Sequence, residues 1–331
     1  MKKIAFFDTK SYDVEWFDQY KEQYGFEIKY FESKLGVNTS VMAKGCDAVV
    51  AFVNDELNAE TIDSLVECGV NAVGLRCAGF NNVDLKHAAG KLRVYRVPAY
   101  SPNAVAEHAM ALLLCINRKV HRAYNRVREY NFSLKGLTGF DLKGKTMGVV
   151  GTGKIGSAFI DICKGFGMKI LAYDPYPADI DGVSYVELEE LLRESNIIAL
   201  HCPLTLQNYH MINKNTLNMM KDGVYIINTS RGALIDAEAL LDAIKTGKVA
   251  GAGLDVYEEE SDFFFEDVSD TVVIDDVLKL LLSTPNILIT SHQAFLTEEA
   301  LQAISEITLQ NLRNHFDGID CENEVIFKPK N

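Results

Sequence analysis

The chain of 331 residues carries 33 lysines and arginines against 46 aspartates and glutamates, a net charge of −13. That balance, with no basic run longer than Lys2-Lys3, argues against phosphate-backbone binding as the main activity, although one placed arginine can still take a small acidic substrate. With 48% hydrophobic and 24% charged residues, the composition is that of a globular protein long enough for two domains.

The apolar run at the amino terminus, 4–7, is too short for the core of a signal peptide, so export is not expected. The longest apolar stretch, 109–116, falls well below the ~18 residues that span a bilayer and reads as a buried helix. Strand candidates follow at 4–7, 48–52, 72–75, 147–150, 170–173, 197–200, 225–228, 251–256 and 287–289, alternating with helix-period segments. That alternation predicts an α/β fold with parallel sheets. A breaker cluster at 98–102 precedes one helical pattern over 104–130 and an extended segment rich in Gly, Leu and Phe over 132–144. A last helical pattern covers 297–312. The predicted organisation is a first domain of 1–100 completed by 298–331, a second domain of 101–297, and a cleft between them. Cys46, Cys68, Cys77, Cys115, Cys163, Cys202 and Cys321 are odd in number, scattered and free of any CxxC pair, which reads as reduced thiols in a cytoplasm with no metal site.

Thr146-Met147-Gly148-Val149-Val150 is a buried-strand pattern that runs into Gly151-Thr152-Gly153-Lys154-Ile155-Gly156 at the opening of a helix. In that context GxGxxG is a dinucleotide motif. Gly151 permits the turn, Gly153 lets backbone approach a pyrophosphate, and Gly156 lets helix pack on strand. The next strand ends in Asp174, 18 residues beyond Gly156, about where an acid accepts hydrogen bonds from an adenosine ribose. No Arg or Lys lies within 173–178 to receive a 2′-phosphate, so NAD is expected over NADP.

Hydride transfer to a carbonyl needs a proton donor and a cation for the substrate, for which histidine and arginine are the natural candidates. Six of the seven histidines have structural readings: His87, His121 and His315 in polar helical stretches, His108 and His210 in capping or helical patterns, His201 at the end of an apolar strand. His292 differs, because it follows 287–289 at the carboxyl end of a strand, where open α/β sheets place their ligands. Arg231 occupies the equivalent place after 225–228, beside Gly232 and with no acid adjacent in sequence. Glu260 closes the run Glu258-Glu259-Glu260 after another strand; a solvated loop is the competing reading.

The set VGTGKIG, NTSRGALID, GLDVYEEE and SHQAF, with Arg, Glu and His in that order, resembles the D-2-hydroxyacid dehydrogenase family along essentially the whole chain. The stretches 76–84, 97–100, 131–134 and 263–267 look most like the fermentative D-lactate dehydrogenases within it. The resemblance implies NADH-dependent reduction of pyruvate to D-lactate. His292 is then the general acid/base, Glu260 the carboxylate that favours its imidazolium, and Arg231 the group that holds the keto-acid carboxylate and polarises the carbonyl. Glu258 stays open as the other acid able to serve His292. Ala78 and Gly79 are implied as N–H donors to the substrate carboxylate, Tyr100 as a neighbour of the bound acid, and Phe295 as a wall of its pocket. Lining of the NAD cleft is implied for Gly153, Lys154, Ile155, Asp174, Cys202, Pro203, Thr229, Ser230 and Asp255, with capping of the following turn the alternative for Asp255. A homodimer built on the 132–144 arm is implied, a tetramer of paired dimers being the alternative. The competing functions are reduction of bulkier keto acids, giving 2-hydroxyisocaproate or phenyllactate, and a non-catalytic NAD sensor.

Overall fold

The computed structural model describes residues 1–258, 264–271 and 273–327. The chain divides into two compact units, Met1–Ser101 with Leu296–Asn331, and Pro102–Phe295. The boundaries read from the sequence fall one or two residues away.

The first unit holds strands β1 (Lys2–Phe6), β2 (Phe26–Tyr30), β3 (Ala48–Ala51), β4 (Ala72–Leu75) and β5 (Arg93–Tyr95), all parallel in the order β2-β1-β3-β4-β5. This is the flavodoxin-like order, with its switch point between β1 and β3. Every residue of β3 and β4 is buried, as a parallel sheet covered on both faces requires. The covering helices include α1 (Ser11–Tyr20), α2 (Ala59–Glu67), the short α3 (Leu85–Ala88) and the last helix, α11 (Glu298–Asp317). Thr297 caps α11 by accepting from Ala300 N, and Gly318, at φ 71°, ends it. A Cβ on Gly74 would stand 3.2 Å from Thr308 Cγ2 and 3.4 Å from Leu312 Cγ, so α11 lies close upon β4.

The second unit holds β6 (Thr146–Val150), β7 (Lys169–Tyr173), β8 (Val183–Tyr185), β9 (Ile197–Leu200), β10 (Val224–Asn228), β11 (Val249–Leu254) and β12 (Ile287–Ile289). They form one parallel sheet in the order β12-β11-β10-β9-β6-β7-β8, the Rossmann order extended by one strand, with the switch point between β6 and β9. One face is covered by α4 (Pro102–Arg118) and α6 (Lys154–Gly165), whose Ala109, Leu113, Phe159 and Ile160 meet Met147 and Val149. The other face is covered by α7 (Leu188–Glu194), α8 (Lys214–Met219), α9 (Ala237–Lys245) and α10 (Asp276–Ser283).

Two sequence readings need correction. The single helix over 104–130 is two, because Lys119 adopts a left-handed conformation at φ 53° and separates α4 from α5 (Val120–Arg128), which buries no residue. The strands β2, β5 and β8 were not among the candidates. Among the described residues no helix is long and apolar enough to cross a membrane.

Candidate active site

The chemistry-bearing residues of the second unit gather along the carboxyl edge of its sheet. The glycine turn follows β6, Asp174 follows β7, Cys202 and Pro203 follow β9, Thr229 to Arg231 follow β10, Asp255 follows β11 and His292 follows β12. Each glycine of the turn has its own steric cause. Gly151 takes φ 94°, and a Cβ there would meet the His201 carbonyl at 2.7 Å. A Cβ on Gly156 would stand 2.0 Å from Gly151 O, so this glycine closes the helix onto its own turn rather than onto the strand. A Cβ on Gly153 would meet nothing within 4 Å, leaving open space over the start of α6.

Asp174 braces that turn. One of its oxygens accepts from Thr152 N at 2.7 Å and Thr152 Oγ1 at 3.1 Å, the other from Tyr176 N at 2.8 Å. A carboxylate offers about four acceptor sites, so one remains for a ribose hydroxyl. The Thr229 hydroxyl is buried and has no hydrogen-bond partner among the described residues, whereas Ser230 Oγ donates to Cys202 O at 2.5 Å. An open space over helix N–H groups, a spare acceptor on Asp174 and an orphaned hydroxyl on the same edge fit a dinucleotide. Burial pushes the Cys202 thiol up to about 11, which keeps it protonated and unreactive.

Arg231 and His292 leave strands β10 and β12, one on each side of β11. Neighbouring strands lie ~4.8 Å apart, which puts these exits ~10 Å from each other. Arg231 Nη1 donates to Ser230 O at 2.7 Å, and no carboxylate among the described residues pairs with its guanidinium. Its loop is pressed on the exit of β11, since a Cβ on Gly232 would stand 2.0 Å from the Tyr257 carbonyl carbon. His292 is half-buried, with the Phe265 ring centroid 5.8 Å from its own, and its backbone is left-handed at φ 54°. A non-glycine residue holds that conformation only where its surroundings enforce it.

Asp255 is part of that enforcement. Its side chain caps the turn that follows β12 rather than the one that follows its own strand: fully buried, it accepts from Thr290 Oγ1 at 2.5 Å, Gln293 N at 2.9 Å and Ala294 N at 2.8 Å. Burial by itself would push this carboxyl up, but hydrogen bonds from His108, Thr290 and Ala294 outweigh it and hold the group below the usual carboxylate range. Glu260 lies outside the described residues, as does Phe263. Glu258 is committed elsewhere, with Oε2 2.7 Å from His210 Nε2 and Oε1 accepting from Ala237 N at 3.3 Å. Phe295 is buried.

In the first unit, the loop after β4 is tied down through its carbonyls. Val97 N donates to Cys77 O at 3.0 Å, Arg96 Nη1 to Ala78 O at 3.1 Å, and Cys77 Sγ to Gly79 O at 3.3 Å. The N–H groups of Ala78 and Gly79 have no partner among the described residues, and both residues are partly exposed, as an anion cradle requires. Below the loop, the buried Arg76 guanidinium stacks 3.8 Å from the centroid of Phe52 and lies 3.3 Å from Asp13 Oδ2 and 2.8 Å from Asp8 O. Tyr100 is partly buried at the end of this unit.

Three contributors escaped the sequence reading. Asn208 Oδ1 accepts from Thr205 N at 2.7 Å while its amide donates to Pro203 O at 2.7 Å, clamping the loop after β9. His210 holds Glu258, and His108 on α4 reaches the β11 and β12 exits. The asparagine between two turns was the one available signal for the first.

Residues 110–294 match the family model described as D-isomer specific 2-hydroxyacid dehydrogenase, NAD binding domain. The chain is 52% identical over 328 residues to a D-lactate dehydrogenase of Escherichia coli strain K12, covering 98% of this chain and 100% of that one. Its fold superposes with a TM-score of 0.91 on the apo structure of D-lactate dehydrogenase from Escherichia coli, at 50% identity with 98% and 100% of the two chains covered. With the pyruvate reductase of Chlamydomonas reinhardtii the TM-score is 0.93, at 42% identity with 98% of each chain covered. Matched by the family model over 110–294 and by a relative 52% identical along nearly the whole length, the chain belongs to the D-isomer-specific 2-hydroxyacid dehydrogenases.

Proposed function

We propose that the protein is an NAD-dependent D-lactate dehydrogenase that reduces pyruvate to D-lactate and regenerates NAD in fermentation. The observation that carries this reading is the pair of exits flanking β11, an arginine without a carboxylate partner among the described residues and a half-buried histidine, on the same sheet edge as the glycine turn. Bound NADH supplies the hydride to the keto carbon. Arg231 holds the 2-keto carboxylate and polarises the carbonyl through a planar, permanently charged guanidinium. His292 gives its proton to the keto oxygen as charge develops there, and takes it back when lactate is oxidised. Glu260 is assigned the carboxylate beside His292, a choice supported by the engagement of Glu258 with His210.

On the same reading, Ala78 and Gly79 offer their N–H groups to the substrate carboxylate, Tyr100 neighbours the acid, and Phe295 bounds its side chain. The NAD contacts are assigned to the turn 151–156, Asp174, Cys202, Pro203, Thr229, Ser230 and Asp255. The first unit is the substrate domain and the second the NAD domain. The apolar side chains of Tyr124, Phe132 and Leu134, between 60% and 80% exposed, support the homodimer that the family resemblance implies. The cytoplasm, where scattered thiols stay reduced, is the expected compartment.

The test is the initial rate of NADH oxidation with pyruvate and with 4-methyl-2-oxopentanoate, compared as kcat/KM, with NADPH as a third arm. We expect pyruvate to lead by tenfold or more, about 1.4 kcal/mol in transition-state binding, and NADH to be preferred. A lead for the bulkier acid would replace the substrate, and no turnover with either would make the protein a sensor.

A further inference from the structure

A residue outside the proposed catalytic set closes a network behind His292. His108 lies on α4, and its Nε2 stands 3.1 Å from Thr290 Oγ1 and 3.3 Å from Asp255 Oδ1. Thr290 Oγ1 gives its proton to the same Asp255 oxygen at 2.5 Å, so it faces His108 with a lone pair. Both groups facing Nε2 are therefore acceptors, and the nitrogen between them carries the hydrogen. Asp255 in turn accepts from Gln293 N and Ala294 N, while its backbone oxygen accepts from His292 N at 2.8 Å. On the near side of the turn, Thr290 N donates to Leu254 O at 2.9 Å. His292 thus sits in a five-residue turn, 290–294, whose two ends are gathered on one buried carboxylate, and it is the one residue there with a left-handed backbone.

We propose that His108 is a positioning residue for the general acid/base: its Nε2–H bridges Thr290 and Asp255, and so fixes the turn that holds His292 in its left-handed conformation. The helix face that covers the sheet thereby reaches the reacting edge without touching it. The assignment rests on the reading of His292 as the proton donor. A displacement of about 1 Å in a reacting group can cost on the order of a hundredfold in rate, so a lost bridge should appear in kcat before it appears in binding.

The experiment compares His108→Phe, which removes the donor, with His108→Gln, whose amide nitrogen can take the place of Nε2. Thr290→Val is a third variant that removes the hydroxyl and leaves the ring. NADH affinity, followed by fluorescence, reports that each variant is folded. We expect His108→Phe to lower kcat for pyruvate tenfold or more with KM within about threefold, and to raise the solvent deuterium isotope effect as proton transfer becomes limiting. His108→Gln should recover most of kcat, and Thr290→Val should fall between them. Amide hydrogen exchange at Gln293 and Ala294 needs no substrate: protection should drop in His108→Phe and Thr290→Val and persist in His108→Gln. Wild-type kcat and isotope effect in His108→Phe, equal losses in the Phe and Gln variants, or exchange unchanged in all three would overturn the proposal. An inactive wild type with the expected exchange pattern would overturn the function instead.

Discussion

The two units prepare the carboxyl edges of similar parallel sheets in opposite ways. In the first, the loop at 77–79 is held from below by buried charge. Arg76 lies among Asp8, Asp13 and Asp55, all at most 3% exposed, with Lys10 Nζ 3.0 Å from Asp8 Oδ1. In the second, the edge is held by steric fit and neutral donors: glycines where no Cβ fits, hydroxyls and amides, and one buried carboxylate, Asp255. The difference follows from what each edge offers. A loop that presents bare N–H groups has no side chain to brace it, so bracing comes from beneath it; an edge that admits a dinucleotide needs space, and charge buried there would compete with the ligand.

Arg76→Leu should have the largest effect. It removes the guanidinium that lies against both Asp13 and Asp8 and leaves them Lys10, and breaking buried pairs of this kind costs about 3–5 kcal/mol. Calorimetry should show earlier unfolding while the variant, where still folded, keeps its NADH affinity; an unchanged transition would remove charge as the brace of the first unit. Gly232→Ala tests steric fit in the second unit. The added methyl would meet backbone at Tyr257 and Glu258, which cannot swing aside, so the Arg231 loop must shift. We expect kcat/KM for pyruvate to fall at least tenfold, with about 1–3 kcal/mol lost in stability. Full activity would mean that the position of Arg231 is not set by that contact.

The smallest effect is the most diagnostic, because acid should act on the two units with opposite sign. Burial pushes Asp55 up to about 6 from 3.8, so between these values the folded state holds a proton that the unfolded state lacks. Acidification from pH 7 to 5 therefore adds about 1 kcal/mol through this group, a contribution lost again as pH rises through 6. His201 runs the other way. Its ring nitrogens are buried beside Phe159 without hydrogen-bond partners among the described residues, and burial pushes its pKa down to about 4 from 6.5. The unfolded state then binds the extra proton, and stability falls by about 2 kcal/mol over the same change. Compared with wild type, His201→Phe should lose less stability on going from pH 7 to 5, and Asp55→Asn more, as read from denaturant midpoints. The same acid response in all three proteins would break the contrast.

What the sequence made legible follows from range. The glycine turn, Arg231 and His292 announce themselves locally, through a strand and the residue after it. The missed strands β2, β5 and β8 all end the strand order of their sheets, and residues such as Glu27, Lys29 and Ser184 break the apolar run. The ion cluster joins Asp8 to Arg76 across 68 positions, and His108 meets Thr290 across 182, distances at which no local pattern speaks. The helix break at Lys119 carries neither Gly nor Pro to mark it.

The split of the first unit across the chain sets an order of assembly. The second unit is one continuous stretch, whereas β4 waits for Thr308 and Leu312 of α11 to cover Gly74. At ribosomal speeds of ~5–20 residues per second, that delay is on the order of 10–50 s. During synthesis the later half of the protein can fold while the earlier half still has an open apolar face, so the nascent chain's hazard lies in the part made first.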